Sequence, residues 1–240
     1  MSTKNTLITK ITAILLVIFL SFANVAQASA VFVGVTTEVS RQVIVTEKDL
    51  DASTEESSPP QLQSNYDWYV DATNGSDSND GSELNPFKTI QKAISIAAGG
   101  HSIFVVDGTY PETLYITKGV HIIGESRDGV IIDASASNGY GIDVYGDLVT
   151  SFENLTLIGP RKTGSGSYGL KIDGDNAETT ITNVLVKDSR RTGIDLNGLN
   201  KAVVTDVVVE NNGGNGFAMT NCSNVTITNI TTNGNAWGGV

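Results

Sequence analysis

Asp143, Lys171 and Asp195 each stand two residues after a glycine: Gly141-Ile-Asp143-Val, Gly169-Leu-Lys171-Ile and Gly193-Ile-Asp195-Leu. They therefore hold one equivalent place in three similar segments. Two residues further on, Tyr145, Asp173 and Asn197 hold a second equivalent place. A lysine among carboxylates can take a proton as the neutral amine or balance an anion as the ammonium. Asp143, Asp173 and Asp195 offer the hard oxygens that Ca²⁺ prefers. Arg161, Arg190 and Arg191, with Lys162 and Lys187, lie just ahead of these segments, and guanidinium groups grip carboxylates with paired hydrogen bonds. The competing account is structural: opposite charges on neighbouring strands compensate one another and mildly stabilise the pairing.

A second cluster, Asp71, Asn74, Asp77, Asn79 and Asp80, is interleaved with Gly75 and Gly81. Oxygen ligands at alternate positions, with glycines at the bends, suit a structural Ca²⁺ on Asp71, Asp77, Asn79 and Asp80, although the spacing is not that of an EF-hand. The alternative is a solvated loop of turn formers. His101 and His121 form no zinc set or triad and are expected to be structural. Cys222 is the single cysteine, so no intramolecular disulfide forms, and it is expected as a small buried side chain.

The elements that carry these residues repeat. Gly141, Gly169, Gly193, Gly216 and Gly239 lead successive segments, the last three at intervals of 23 residues. In step with them run Phe152–Leu157, Ile181–Val186, Val204–Val209 and Ile227–Thr232, each with Asn or Asp at its third place: Asn154, Asn183, Asp206 and Asn229. A fixed period in the low twenties marks a solenoid. Strand alternation then predicts four interior columns: Ile142, Leu170, Ile194, Phe217 and Val240; Val144, Ile172, Leu196 and Met219; Leu155, Val184, Val207 and Ile230; Leu157, Val186, Val209 and Thr232. The Asn/Asp series falls at one turn, where stacked amides can bond along the axis. That role accounts for Asn154 and Asn229 without the glycans that their sequons would accept. Ahead of the repeats, strands are expected at 68–70, 102–107, 114–117, 120–124 and 130–133, with a turn at 108–111. A helix is expected from Pro86, with Phe87, Ile90, Ala93, Ile94 and Ala97 on one face and a stop at Gly99-Gly100, covering the open end of the coil.

The chain has 240 residues, a net charge of −11, 40% hydrophobic residues, and 25 glycines against 5 prolines. That is enough apolar residue for a core, and many tight turns. The acidic balance, without interleaved basic and aromatic residues, excludes nucleic acid as a partner. Lys4 and Lys10 precede the apolar run 11–20, followed by Ala26-Gln27-Ala28, so residues 1–30 are expected to be a secretory signal peptide cut after Ala28 or Ala30. Residues 31–66 are expected to be an acidic, Ser-rich linker, and 67–240 the solenoid. No stable membrane insertion is expected of the mature chain, since no other stretch is long and apolar enough. Gly239-Val240 opens another repeat, so further coils are expected beyond Val240.

Tyr69-Val-Asp71, Asn79-Asp80-Gly81-Ser82, Pro86-Phe-Lys-Thr-Ile-Gln-Lys-Ala93-Ile94, Val106-Asp107-Gly108-Thr109-Tyr110-Pro-Glu112 and the repeats from Gly141 onward resemble the pectate-lyase-like right-handed parallel β-helix superfamily. The resemblance covers about residues 68–240 and implies an all-β parallel β-helix of about 23 residues per coil with an N-terminal capping helix. It also implies a secreted or cell-surface protein that meets an acidic polysaccharide or cell-surface glycan along one parallel sheet. The signatures of polygalacturonases, uronate epimerases and the main pectate lyases are absent, so activity follows from the residues that the sheet presents. On a polyuronate lyase reading, Lys171 is the catalytic base of a β-elimination. Asp143, Asp173 and Asp195 would then hold Ca²⁺, while Arg161, Arg190 and Arg191 bind substrate carboxylates. A noncatalytic glycan-binding or adhesion module is the alternative. A glycoside hydrolase using Asp143 and Asp195, two coils or about 9.6 Å apart, is a further one at the edge of the inverting range.

Overall fold

A computed structural model describes residues 65–163 and 166–239. Contacts divide the chain into Met1–Gln61 and Leu62–Val240. All described residues belong to the second unit, and the expected signal peptide and most of the linker lie outside them.

Strand residues alternate between apolar and polar, so a coil buries one side of every strand. The order is β1 (Trp68–Val70), α1 (Ile90–Ile96), β2 (Ser102–Val105), β3 (Gly108–Tyr110), β4 (Leu114–Ile116), β5 (His121–Gly124), β6 (Val130–Asp133), β7 (Ile142–Tyr145), β8 (Val149–Ile158), β9 (Leu170–Lys187), β10 (Ile194–Glu210), β11 (Phe217–Thr220) and β12 (Val225–Asn233). Every pairing is parallel, each strand to the next coil, as a solenoid requires. Three faces result. Sheet I stacks β4, β7, the starts of β9 and β10, and β11. Sheet II stacks β1, β2, β5, the start of β8, the middles of β9 and β10, and the start of β12. Sheet III stacks β3, β6 and the ends of β8, β9, β10 and β12.

The interior columns are as the alternation predicts through β10: Val144, Ile172 and Leu196, for example, are fully enclosed. In the last described coil Phe217 stays buried, but the other three columns open. Met219 is 39% exposed, and Ile230 and Thr232 are half-buried, because β11 and β12 pair on one side only. Cys222, expected to be buried, is half-buried there for the same reason, its thiol against the carbonyls of Leu196 and Thr220.

Two corner devices explain the sequence repeat. At Gly141, Gly169, Gly193 and Gly216, a Cβ would meet the carbonyl oxygen of the next glycine up the column at 2.5–2.8 Å. Those carbonyls accept the N–H groups of Ile142, Leu170, Ile194 and Phe217, so side-chain absence permits the coils to close on each other. Between sheets II and III, Asn154, Asn183, Asp206 and Asn229 all take φ of 52–55° or 56°, the left-handed region that Asn and Asp tolerate. Asn183 Nδ2 donates to Asn154 Oδ1 at 2.8 Å, and Asn229 donates to Asp206 in the same ladder. A second ladder stands between sheets III and I: Asn212 Oδ1 accepts from Ser189 N, and Asn235 Oδ1 accepts from both Asn212 N and Asn212 Nδ2.

The capping helix differs from expectation in its start. It begins at Ile90, with Thr89 as N-cap accepting from Lys92 N. Pro86 and Phe87 lie outside the helix, and Phe87 bridges Val70. The Glu112 carboxylate accepts from Ile90 N and Gln91 N, both at 2.9 Å, satisfying donors that a helix start leaves orphaned. The expected turn at 108–111 is instead the short strand β3, because it pairs with β6 and buries Tyr110.

Candidate functional site

Sheet I presents Asp143, Lys171, Asp173 and Asp195 outward on adjacent coils. Its outward residues form two rows along the axis. The first runs Tyr115, Asp143, Lys171, Asp195, Ala218, and the second Tyr145, Asp173, Asn197, Thr220; all are cross-strand partners in direct register. Inward neighbours such as Ile142, Val144, Leu170 and Ile172 are buried, so the backbone beneath the rows is fixed by core packing.

Lys171 is the centre. Its side chain is 16% exposed, and its Nζ donates to Asp173 Oδ2 at 2.7 Å. The other oxygen of Asp173 accepts from Asn197 Nδ2 at 2.8 Å. Burial pushes the lysine pKa down, but the hydrogen bond and charge of Asp173 outweigh it, so the pKa is raised. Asp173 shifts the opposite way, held low chiefly by the Lys171 hydrogen bond against burial. Asp143 and Asp195 lie one coil below and above Lys171. Burial raises both their pKa values, with Lys171 opposing and Asp173 adding to the rise.

The corner loops leading into sheet I carry Arg161, Lys162, Arg190 and Arg191. Arg191 lies over the Tyr168 ring at 4.8 Å, Tyr168 packs on Tyr140 at 5.8 Å, and Lys171 Nζ is 5.9 Å from the Tyr140 ring. Arg191 also works against the burial-driven rise of the Asp195 pKa, so it belongs to the same neighbourhood. Arg161 is committed to Asp188 at 2.7 Å, and Arg190 is exposed on the corner. The structure thus joins Lys171, Asp143, Asp173, Asp195 and Arg191, while Arg161 and Arg190 lie on the rim. Tyr140, Tyr168 and the role of Asn197 were not singled out from sequence; tyrosine immediately ahead of a repeat glycine, 28 residues apart, was the available signal.

The expected Ca²⁺ sets do not fit. Among the described residues, no three His, Cys, Asp or Glu side chains converge as metal ligands. On sheet I an ammonium stands between Asp143 and Asp195, and both oxygens of Asp173 are engaged; a second cation there is repelled. In the loop, the oxygens are turned to local donors. Asp71 accepts from Thr73 N, Asn74 N and Asn74 Nδ2, and those bonds hold its pKa low against burial. Asp77 accepts from Lys88 N, Thr89 N and Thr89 Oγ1. Asp80 accepts from Ser82 N, and Asn79 donates to the Pro86 carbonyl. The loop is a hydrogen-bonded brace for the start of α1. His101 accepts from Trp68 Nε1 at 3.0 Å, and His121 pairs with Ser151.

Residues 168–240 match the family described as right handed beta helix region. The uncharacterized protein YwoF of Bacillus subtilis (strain 168) is 32% identical over 125 residues, which cover 42% of this chain and 27% of YwoF. Among solved structures, pectate lyase Pel9A is similar with a TM-score of 0.52 at 18% identity, covering 70% of this chain and 54% of the lyase. Pectin methylesterase PemA from Erwinia chrysanthemi aligns with a TM-score of 0.42 at 20% identity over 66% of this chain and 55% of the esterase. The chain therefore spans about a quarter of YwoF and about half of the lyase. The likeness to Pel9A is one of fold.

Proposed function

We propose, for a chain with the pectate-lyase-like right-handed parallel β-helix fold, that it belongs to a secreted protein whose sheet I takes an acidic polysaccharide lengthwise and cleaves it by β-elimination. Lys171 is the group that removes the proton alpha to the uronate carboxylate. The observation that carries this reading is Lys171 itself: a mostly buried amine at the middle of a solvent-facing charged row, aimed by Asp173 and Asn197. A rim of Arg161, Lys162, Arg190 and Arg191 on an otherwise acidic chain supports an anionic polymer. In the elimination the α-C–H bond breaks as its proton passes to the neutral amine. The electron pair forms the new C=C bond, and the glycosidic oxygen leaves with the C–O bond pair and gains a proton from solvent. Arg191 and the rim cations offset the charge that develops on the carboxylate.

A specific observation favours a second reading. Asp143 and Asp195 have raised pKa values, as a general acid needs, and their spacing of about 9.6 Å is near the inverting limit. A glycoside hydrolase would use them and leave Lys171 as a fixed charge. The test is product chemistry on pectic, alginate and glycosaminoglycan polymers. The lyase reading expects a new ultraviolet-absorbing double bond, and a loss of roughly 100-fold or more in Lys171→Ala. Reducing ends without that absorbance would establish the hydrolase. Binding without either product would leave a noncatalytic glycan-binding module.

A further inference from the structure

We infer that Tyr115 and Tyr145 form a sugar-stacking subsite at the β4 end of sheet I, fixing which way and how far the polysaccharide extends from Lys171. The inference rests on sheet I being the polysaccharide face. Two large side chains on that face are left in water: Tyr115 is 56% exposed and Tyr145 63% exposed. They are diagonal neighbours. Tyr115 is in register with Asp143, and Tyr145, two residues after Asp143, is in register with Asp173. Strand geometry sets them about 8 Å apart, Tyr145 about 8 Å from Lys171, and Tyr115 about 9.6 Å from it.

Tyr115 sits on a fixed backbone. Gln91 of α1 reaches across with its side-chain amide: Oε1 accepts from Tyr115 N at 2.8 Å and Nε2 donates to the Tyr115 carbonyl at 3.3 Å. The amide stands in for the missing neighbouring strand and closes this edge of the sheet. Among the described residues, the same rows continue past Asp195 and Asn197 with Ala218 and Thr220. Among the described strands the face is therefore directional: aromatic at β4 and β7, charged on β7 to β10, small on β11.

A phenol ring offers an apolar face and a polar tip, matching a pyranose, whose axial C–H groups form an apolar face ringed by hydroxyls. The occupant is thus a pyranose unit of the same acidic chain whose carboxylate meets Lys171, one to two coils away. The charge on the middle of the face and the uncharged rings beside it suit one continuous polymer.

The experiment measures binding of uronate oligosaccharides of graded length by calorimetry, for the wild type, Tyr115→Ala, Tyr145→Ala, the double variant and the two Phe variants. Each Ala change should weaken long oligomers by roughly tenfold, a typical aromatic contact. It should leave the shortest binding oligomer unaffected, and the Phe variants should stay close to wild type. Melting temperatures should not move, since both rings are exposed. Ala variants that bind every length like wild type overturn the subsite alone. A wild type that binds no oligomer overturns the subsite together with the functional reading.

Discussion

Lys171 and Asp173 set the pH behaviour of the candidate site. The lysine pKa is raised above 10.5 by Asp173 despite burial, and Asp143, Asp195, Tyr140 and Arg191 also face this neighbourhood. A base with a raised pKa is charged at neutral pH, so elimination should speed up as pH rises and level off only above the ordinary lysine range. Asp173→Asn removes the opposing charge and should move that rise to lower pH, read from the pH–rate profile. An unmoved profile would detach Asp173 from the lysine. The ion pair also contributes stability that is present below the unfolded lysine pKa and lost as pH rises through the folded one. The Asp–Lys–Asp row was legible from sequence because strand alternation assigns it outward. The hydrogen bond from Lys171 to Asp173 was not, because register places Asp143 and Asp195 beside the lysine as well, and only side-chain geometry selects among three carboxylates.

The corners decide whether the coils stack. Asn183 adopts φ of 52° and donates to Asn154. Asn183→Ala should therefore cost about 1–3 kcal/mol in urea unfolding, and Asn183→Gly should recover the backbone share. At Gly193 a Cβ would lie 2.4 Å from Val209 Cγ1 and 2.8 Å from the Gly216 carbonyl. Gly193→Ala should destabilise by about 1–3 kcal/mol, whereas a neutral effect would mean the coils are less tightly stacked than this geometry requires. The glycine and Asn columns were visible in the sequence because the 23-residue spacing repeats them. The Ser189–Asn212–Asn235 ladder follows the same spacing, but its first member is a serine, which breaks the identity that makes a column recognisable. The helix start was misplaced because Pro86 is a strong local signal. The donors at 90 and 91 are met by Glu112 from a distant loop, a long-range contact that local sequence does not encode.

Across the whole molecule, the solenoid turns one short motif into rows, and a row of outward residues becomes an extended surface. That is why fold class was legible from periodicity while the chemistry was not: periodicity places residues but does not say what they touch. The loop at 71–80 illustrates the difference. Its composition suits Ca²⁺, yet its oxygens brace α1 through Lys88 N and Thr89 N. Thermal unfolding should accordingly be the same with Ca²⁺ and with chelator; a rise of several degrees with Ca²⁺ would restore the metal to the loop. Sheet I is proposed as the polysaccharide face. The most direct measurement is a crystal structure of the protein with a bound uronate oligosaccharide. The prediction is sugar density running along the axis over Tyr145, Asp143, Lys171 and Asp195, with a carboxylate turned to Lys171 or Arg191. Density on sheet II or sheet III instead, with sheet I bare, would contradict it.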